Sequence, residues 1–193
     1  MSNIRVFPAQ TVQQWRAEAL MAMTGADLAQ TLGDNEVVDW LEAATACGLI
    51  EAQLRLGRML LTGEGLPRDW QAAFACFLSA SADGNAEAQN LLGRCYENGW
   101  GVAPDRAAAR ACYREAAEKG DFRGAHNHAC ALAAAEGCVA GALHWFARAI
   151  GDAPEPTRRP MLEALATHTR CAIRAFARRE LDCPPVARTG RSA

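Results

Sequence analysis

Apolar positions recur every three to four residues through the middle of the chain, in runs separated by short stretches rich in glycine and acid. That spacing predicts amphipathic helices rather than strands. Ala52, Leu56 and Leu60 fall at i, i+4 and i+8 and give one helix from about Ala52 to Leu61, with a copy from Ala88 to Glu97. A second helix follows in each case, with Ala73, Cys76, Phe77 and Ala80 as its inner stripe. Gly63 and Gly99 stand where a left-handed C-cap wants glycine. Asp69 and Asp105 stand where a helix N-terminus wants a side-chain acceptor. Gly84 and Gly120 close the second helices.

These elements repeat. Residues 52–87 set against 88–123 are identical at 14 of 36 positions, including Leu56/Leu92, Gly57/Gly93, Arg58/Arg94, both glycines of each GxG and both aspartates. Gly48 and Trp40 extend the register towards the N-terminus, and Trp145-Phe146 extend it the other way into a shortened unit at 124–152. The reading is therefore an array over 35–152, preceded by an N-terminal helix and irregular half-repeat in 1–34. Pro154, Pro156 and Pro160 break the periodicity. Capping helices are expected in 153–181, with Leu162, Leu165, Ala172, Ile173 and Phe176 covering the end of the stack, and a disordered tail in 182–193.

The pattern of Ala88, Leu92, Gly93, Tyr96, Gly99, Gly101, Val102, Asp105, Ala108 and Tyr113 resembles the SEL1-like repeat, a tetratricopeptide-like family. Ala52, Leu56, Gly57, Gly63, Gly65, Asp69 and Ala72 match it one unit earlier. The resemblance implies an all-α fold, a right-handed α/α solenoid of helical hairpins, and a role in protein–protein interaction. The cysteines of the secreted branch of that family would fall near Ala117 and Ala125, so its disulfides do not carry over.

Composition sharpens this picture by exclusion. The net charge of -2 argues against a polyanion binder. No apolar run approaches the ~18 residues of a membrane span, and MSNIRVFPAQ is not an export signal, so a cytoplasmic location is expected. The eight cysteines include no CxxC and read as reduced, mostly buried thiols.

Candidate chemistry is sparse. GEG (63–65) and GWG (99–101) follow helices, not strands, so they read as turns and not as phosphate loops. Trp100, between two glycines, either lies over the neighbouring hairpin or anchors a partner. His126 and Cys130 at i, i+4 face one way, but two ligands do not make a metal site, and His128 falls on a core column. No catalytic motif occurs, no cofactor is implied, and an enzyme is not expected. What remains is the polar side of the first helices, expected to line a concave groove: Gln53, Arg55, Arg58, Gln89, Asn90, Arg94, His126 and Asn127. Arg58 and Arg94, one repeat apart, suggest a basic ladder. The expected function is a non-enzymatic adaptor that holds an unidentified protein or peptide there. The alternative is a regulatory module clamping an anionic ligand or acidic peptide through arginines. Arg170, Arg174 and Arg178 line one face of the last helix without interleaved aromatics, which fits a polar cap better than nucleic acid.

Overall fold

The computed structural model describes residues 34–135 and 138–182. The expected N-terminal helix and the expected disordered tail lie outside the described residues, apart from Asp34 and Asp182 at their edges. Every regular element among the described residues is a helix: α1 (Asp34–Ala46), α2 (Ile50–Thr62), α3 (Trp70–Ala82), α4 (Ala86–Asn98), α5 (Arg106–Glu118), α6 (Phe122–Ala134), α7 (Val139–Asp152), α8 (Glu155–Leu165) and α9 (Cys171–Asp182). The chain divides into two compact units within α5, between Cys112 and Tyr113.

Two turns alternate, and each satisfies the backbone groups that a helix end leaves open. After α1, α3 and α5 the chain makes a Schellman turn. The amides of Leu49, Asn85 and Asp121 donate to the carbonyls of Ala44, Ala80 and Ala116 at 3.1, 3.2 and 3.0 Å. Gly48, Gly84 and Gly120 take the left-handed place in these turns. After α2 and α4 the chain runs through the GxG loop. Gly63 donates to Met59 O at 2.7 Å and Gly99 to Cys95 O at 2.9 Å. The loop closes where Asp69 donates to Leu60 O (2.9 Å) and Asp105 to Tyr96 O (2.8 Å). The same aspartates then cap the next helix: Asp69 Oδ1 accepts from Gln71 and Ala72 amides, Asp105 Oδ1 from Ala107 and Ala108. Asn85 and Asp121, another pair one repeat apart, cap α4 and α6 at 2.8 Å each.

In the first unit α1 packs on α2, α2 on α3 and α3 on α4. Leu54, Ala73, Phe77, Ala80, Ala88, Leu91 and Cys95 form its central cluster. Gly57 shows why the LGR triplet carries glycine. A Cβ there would fall 2.5 Å from the Phe77 ring, so the small residue sets how close α2 comes to α3. In the second unit Gly124 does the same against Ala116, also at 2.5 Å. Phe146, Ile150, Leu162, Leu165, Ile173 and Ala177 fill the second core.

The C-terminal helices differ from expectation in two respects. Pro160 lies inside α8 rather than breaking it, while Pro156 occupies the first turn, where no amide donor is needed. Ala172 is exposed and Ala177 is buried in its place, because Ile173 and Ala177 share one face at i, i+4.

Gly101 has a second role besides its positive φ of 74°. A Cβ there would run into the backbone carbonyl of Trp70, which has no room to yield. Gly84 has a positive φ but open space around it. Gly84→Ala should therefore cost about 1 kcal/mol from conformation alone, and Gly101→Ala roughly 3 kcal/mol from conformation plus overlap. Urea unfolding midpoints of the two variants check this. Equal losses would show that the loop does not press on α3.

Candidate functional site

In the first unit the expected groove residues lie on α2 and α4, and their environments diverge. Gln53, Gln89 and Asn90 are buried, with 4, 8 and 3% of their surfaces exposed. They were expected on an open polar side. The reason is that each first helix is enclosed by more neighbours than its own hairpin supplies. Helix α4 buries Ala88 through Gly93 continuously, polar residues included. Gln53 Nε2 donates to Ser79 Oγ of α3 at 3.3 Å. A buried carboxamide so placed ties one helix to the next, but its Oε1 is buried without a partner, which offsets the gain of that bond.

The arginines do stay near the surface, yet they do not form a uniform ladder. Arg58 is exposed and ion-paired to Glu87 at the start of α4. Arg94 is exposed and places its guanidinium 5.2 Å from the centre of the Trp100 ring. Trp100 itself is half-buried and packs on the cluster of Leu54, Phe77 and Cys95. One side of the ring rests on the core, as the packing reading has it, and another carries Arg94. Arg55 is half-buried, and its guanidinium pKa is pushed down by burial first and by Arg58 second, against the pull of Glu64. Burial likewise drives the Cys95 thiol up to about 11 despite Arg94 beside it, which makes it a packing residue and not a nucleophile.

His126 and Asn127 belong to the second unit, on α6. Both are half-buried. His126 Nε2 is 3.6 Å from Cys130 Sγ, and the ring meets Phe146 edge-on at 5.4 Å. His128 is buried with its ring edge-on to Trp145 at 5.3 Å, on the core column the repeat assigns to it. Among the described residues no three histidines, cysteines or carboxylates converge as metal ligands. The C-terminal arginines are partly engaged by backbone: Arg174 Nη1 donates to His168 O and Thr169 O at 2.8 and 2.7 Å, and Arg170 Nη2 reaches Ala135 O at 3.4 Å.

One feature absent from the expected set lies beside the GWG loop. A groove of about 810 Å³ separates Gly99 to Ala103 from the start of α3, where Trp70 is 43% exposed. No helix among the described residues is long and apolar enough to cross a membrane.

The family model of the Sel1 repeat matches residues 50–85 and 86–121. The chain carries two consecutive Sel1 repeats. Each repeat begins two residues earlier than periodicity alone placed it, at the start of α2 and of α4. Among solved structures, the chain is similar to a protective antigen of uropathogenic Escherichia coli with an SLR fold. The TM-score is 0.64 and the identity 24%, over 83% of this chain and 36% of the antigen. It is also similar to a Sel1 repeat protein from Oxalobacter formigenes, with a TM-score of 0.61 and 24% identity over 72% of this chain and 59% of that one. The chain therefore spans about a third of one neighbour's length and under two thirds of the other's. Comparison with curated proteins found no match. The fold is all-α, of the α/α-solenoid class that these Sel1 proteins share, and Sel1 repeats are in general protein-interaction modules.

Burial lowers the His126 pKa below its ordinary value of 6.5. Above that value the ring is neutral in both the folded and unfolded chain, and it contributes no pH dependence. Below it the unfolded chain takes up a proton that the folded chain resists, so stability falls with pH, by at most about 1.4 kcal/mol per pH unit. His126→Gln should flatten this loss as the pH falls below about 6.5 in urea unfolding. An unchanged slope would show that the ring is protonated equally in both states.

Proposed function

We propose that this chain is a non-enzymatic adaptor that holds a protein or peptide partner on the first-helix face of its Sel1 hairpins. The general use of Sel1 repeats as interaction modules supports the class of function. The observation that carries the position is the Arg94–Trp100 pair. Its counterparts one repeat earlier are Arg58 and Glu64, so the hairpin does not need an aromatic there. In this repeat the ring is anchored on the core and presents an exposed guanidinium. A rigid aromatic bearing an arginine combines two residue types that dominate binding energy at interfaces. Gln53, Gln89 and Asn90 shape this face from beneath, Arg55 and Arg58 flank it, and His126 and Asn127 are the corresponding candidates of the second unit.

The anionic-ligand reading narrows under the same geometry. Arg58 already has Glu87, so an incoming carboxylate gains there only by displacing it. Arg94 is the arginine placed to take an acidic side chain of a bound peptide. A reducing, cytoplasmic setting fits the seven described cysteines, none of which is in a disulfide.

Cross-linking in the native cell extract identifies a partner, and calorimetry with that purified partner measures its affinity. Arg94→Ala combined with Trp100→Ala should weaken binding ten- to a hundredfold, on the order of 1.4–2.7 kcal/mol. The circular dichroism of the variant should stay helical. Undiminished affinity in a folded variant would place the partner elsewhere.

A further inference from the structure

The second helices of the two Sel1 repeats occupy equivalent places but carry opposite surfaces. Trp70, Phe74 and Leu78 of α3 stand in the columns of Arg106, Arg110 and Arg114 of α5. The hairpin therefore does not dictate an apolar residue at any of the three. Helix α3 has no charged side chain in its 13 residues. Trp70 and Leu78, 43 and 47% exposed, are the exposed large hydrophobics among the described residues, and Ala75 and Ala82 extend the same face, which the neutral Gln71 and Ser79 share. A scaffold helix that needs only one buried stripe has no reason to be apolar on its outer side.

The charges beside this face are mixed, but its acids are engaged: Asp69 caps α3 and Asp105 caps α5, which leaves the arginines as the uncommitted charges. The loop into α5 touches α3, as the approach of Gly101 to the Trp70 carbonyl shows. The groove between them carries Arg68 and the capping Asp69 on one wall and ends at Ala103, three residues before Arg106. Arg106 and Arg110 are exposed and form no ion pair among the described residues. Arg106 also opens α5, where the helix dipole disfavours a cation, so it is not placed there for the helix's own stability. An apolar stripe with arginines on its flank complements an amphipathic helix whose apolar ridge is bordered by glutamate or aspartate.

The residues on either side of the described ones do not supply that complement. Residues 1–33 hold two arginines and two acids, and residues 183–193 hold two arginines and no acid. A second copy joined through this face would bring the same arginines to both sides of one interface. We propose that the outer face of α3, with Arg106 and Arg110 beside it, is a docking site for an acidic amphipathic helix of another protein. The site is distinct from the first-helix face and stands without it.

The full chain is titrated with a labelled synthetic peptide of about 18 residues, leucines at i, i+3, i+4 and i+7 and glutamates elsewhere. Controls are the same peptide with lysine for glutamate and a scrambled version. Fluorescence anisotropy should show binding of the acidic peptide in the range of about 1–100 μM and at least tenfold weaker binding of both controls. Trp70→Ser with Leu78→Ser should weaken it at least tenfold, while Arg94→Ala leaves it unchanged and so separates this site from the other face. Arg106→Glu with Arg110→Glu should reverse the preference towards the lysine peptide, a gain that misfolding cannot mimic. The proposal is overturned if acidic, basic and scrambled peptides bind alike or not at all. It is overturned equally if neither double variant alters peptide binding. Binding to anionic phospholipid vesicles without peptide binding would assign the face to a membrane. Sedimentation showing a dimer that Trp70→Ser with Leu78→Ser dissolves would assign it to a second copy.

Discussion

The hydrogen bond from the Asp105 amide to the Tyr96 carbonyl, with its copy from Asp69 to Leu60, governs where everything else in the first unit falls. It reaches back nine residues and closes the GxG loop onto the helix that precedes it. A closed loop starts the next helix at one place only, and the same aspartate supplies that helix with its first acceptor. Without the closure, the helix before the loop and the helix after it could slide along each other, and the contact of Gly57 with Phe77 would be lost. Local backbone bonding thus fixes the register, and the register makes the close packing possible. The glycines are consequences of that closure: Gly99 turns the chain, and Gly101 lets the loop press against α3.

A frame held by backbone groups leaves many side chains free to differ. Only the inward columns are constrained, and there alanine, glycine and leucine recur at each step. The outward columns change from one repeat to the next. Trp70 gives way to Arg106, and Glu64 gives way to Trp100. Repeats therefore separate two tasks. Identical positions build the stack, and non-identical positions give each hairpin its own surface chemistry.

Much of the fold was legible for this reason. Glycines, capping aspartates and the apolar stripe act within one or two turns of chain, and periodicity sees that range directly. Asn85 and Asp121 were not among the capping residues read from the sequence, because asparagine and aspartate do not match by identity, although each follows its glycine at the same spacing. Burial of Gln53, Gln89 and Asn90 was not legible. Their exposure depends on neighbouring helices, α3 in the case of Gln53, which the pattern of a single helix does not report. Pro160 misled for a related reason. A proline at that point costs one helical hydrogen bond, and packing of Leu162 and Leu165 outweighs it.

The arginines show how far a repeat argument extends to a site. Arg58 and Arg94 share a column, and the frame places both at the surface. Their chemistry nevertheless comes from residues that do not repeat. Glu87 stands 29 residues after Arg58, and the same step from Arg94 arrives at Arg123, a like charge. Arg94 instead finds the Trp100 ring, which the previous repeat lacks. Two equivalent arginines thus become a closed ion pair and an open aromatic-backed cation. Symmetry in the sequence predicts where a side chain emerges, and asymmetry in its neighbours decides what it is able to bind. For a chain built on two similar repeats, the informative residues are those at which the copies disagree: Trp100, Trp70 and Leu78.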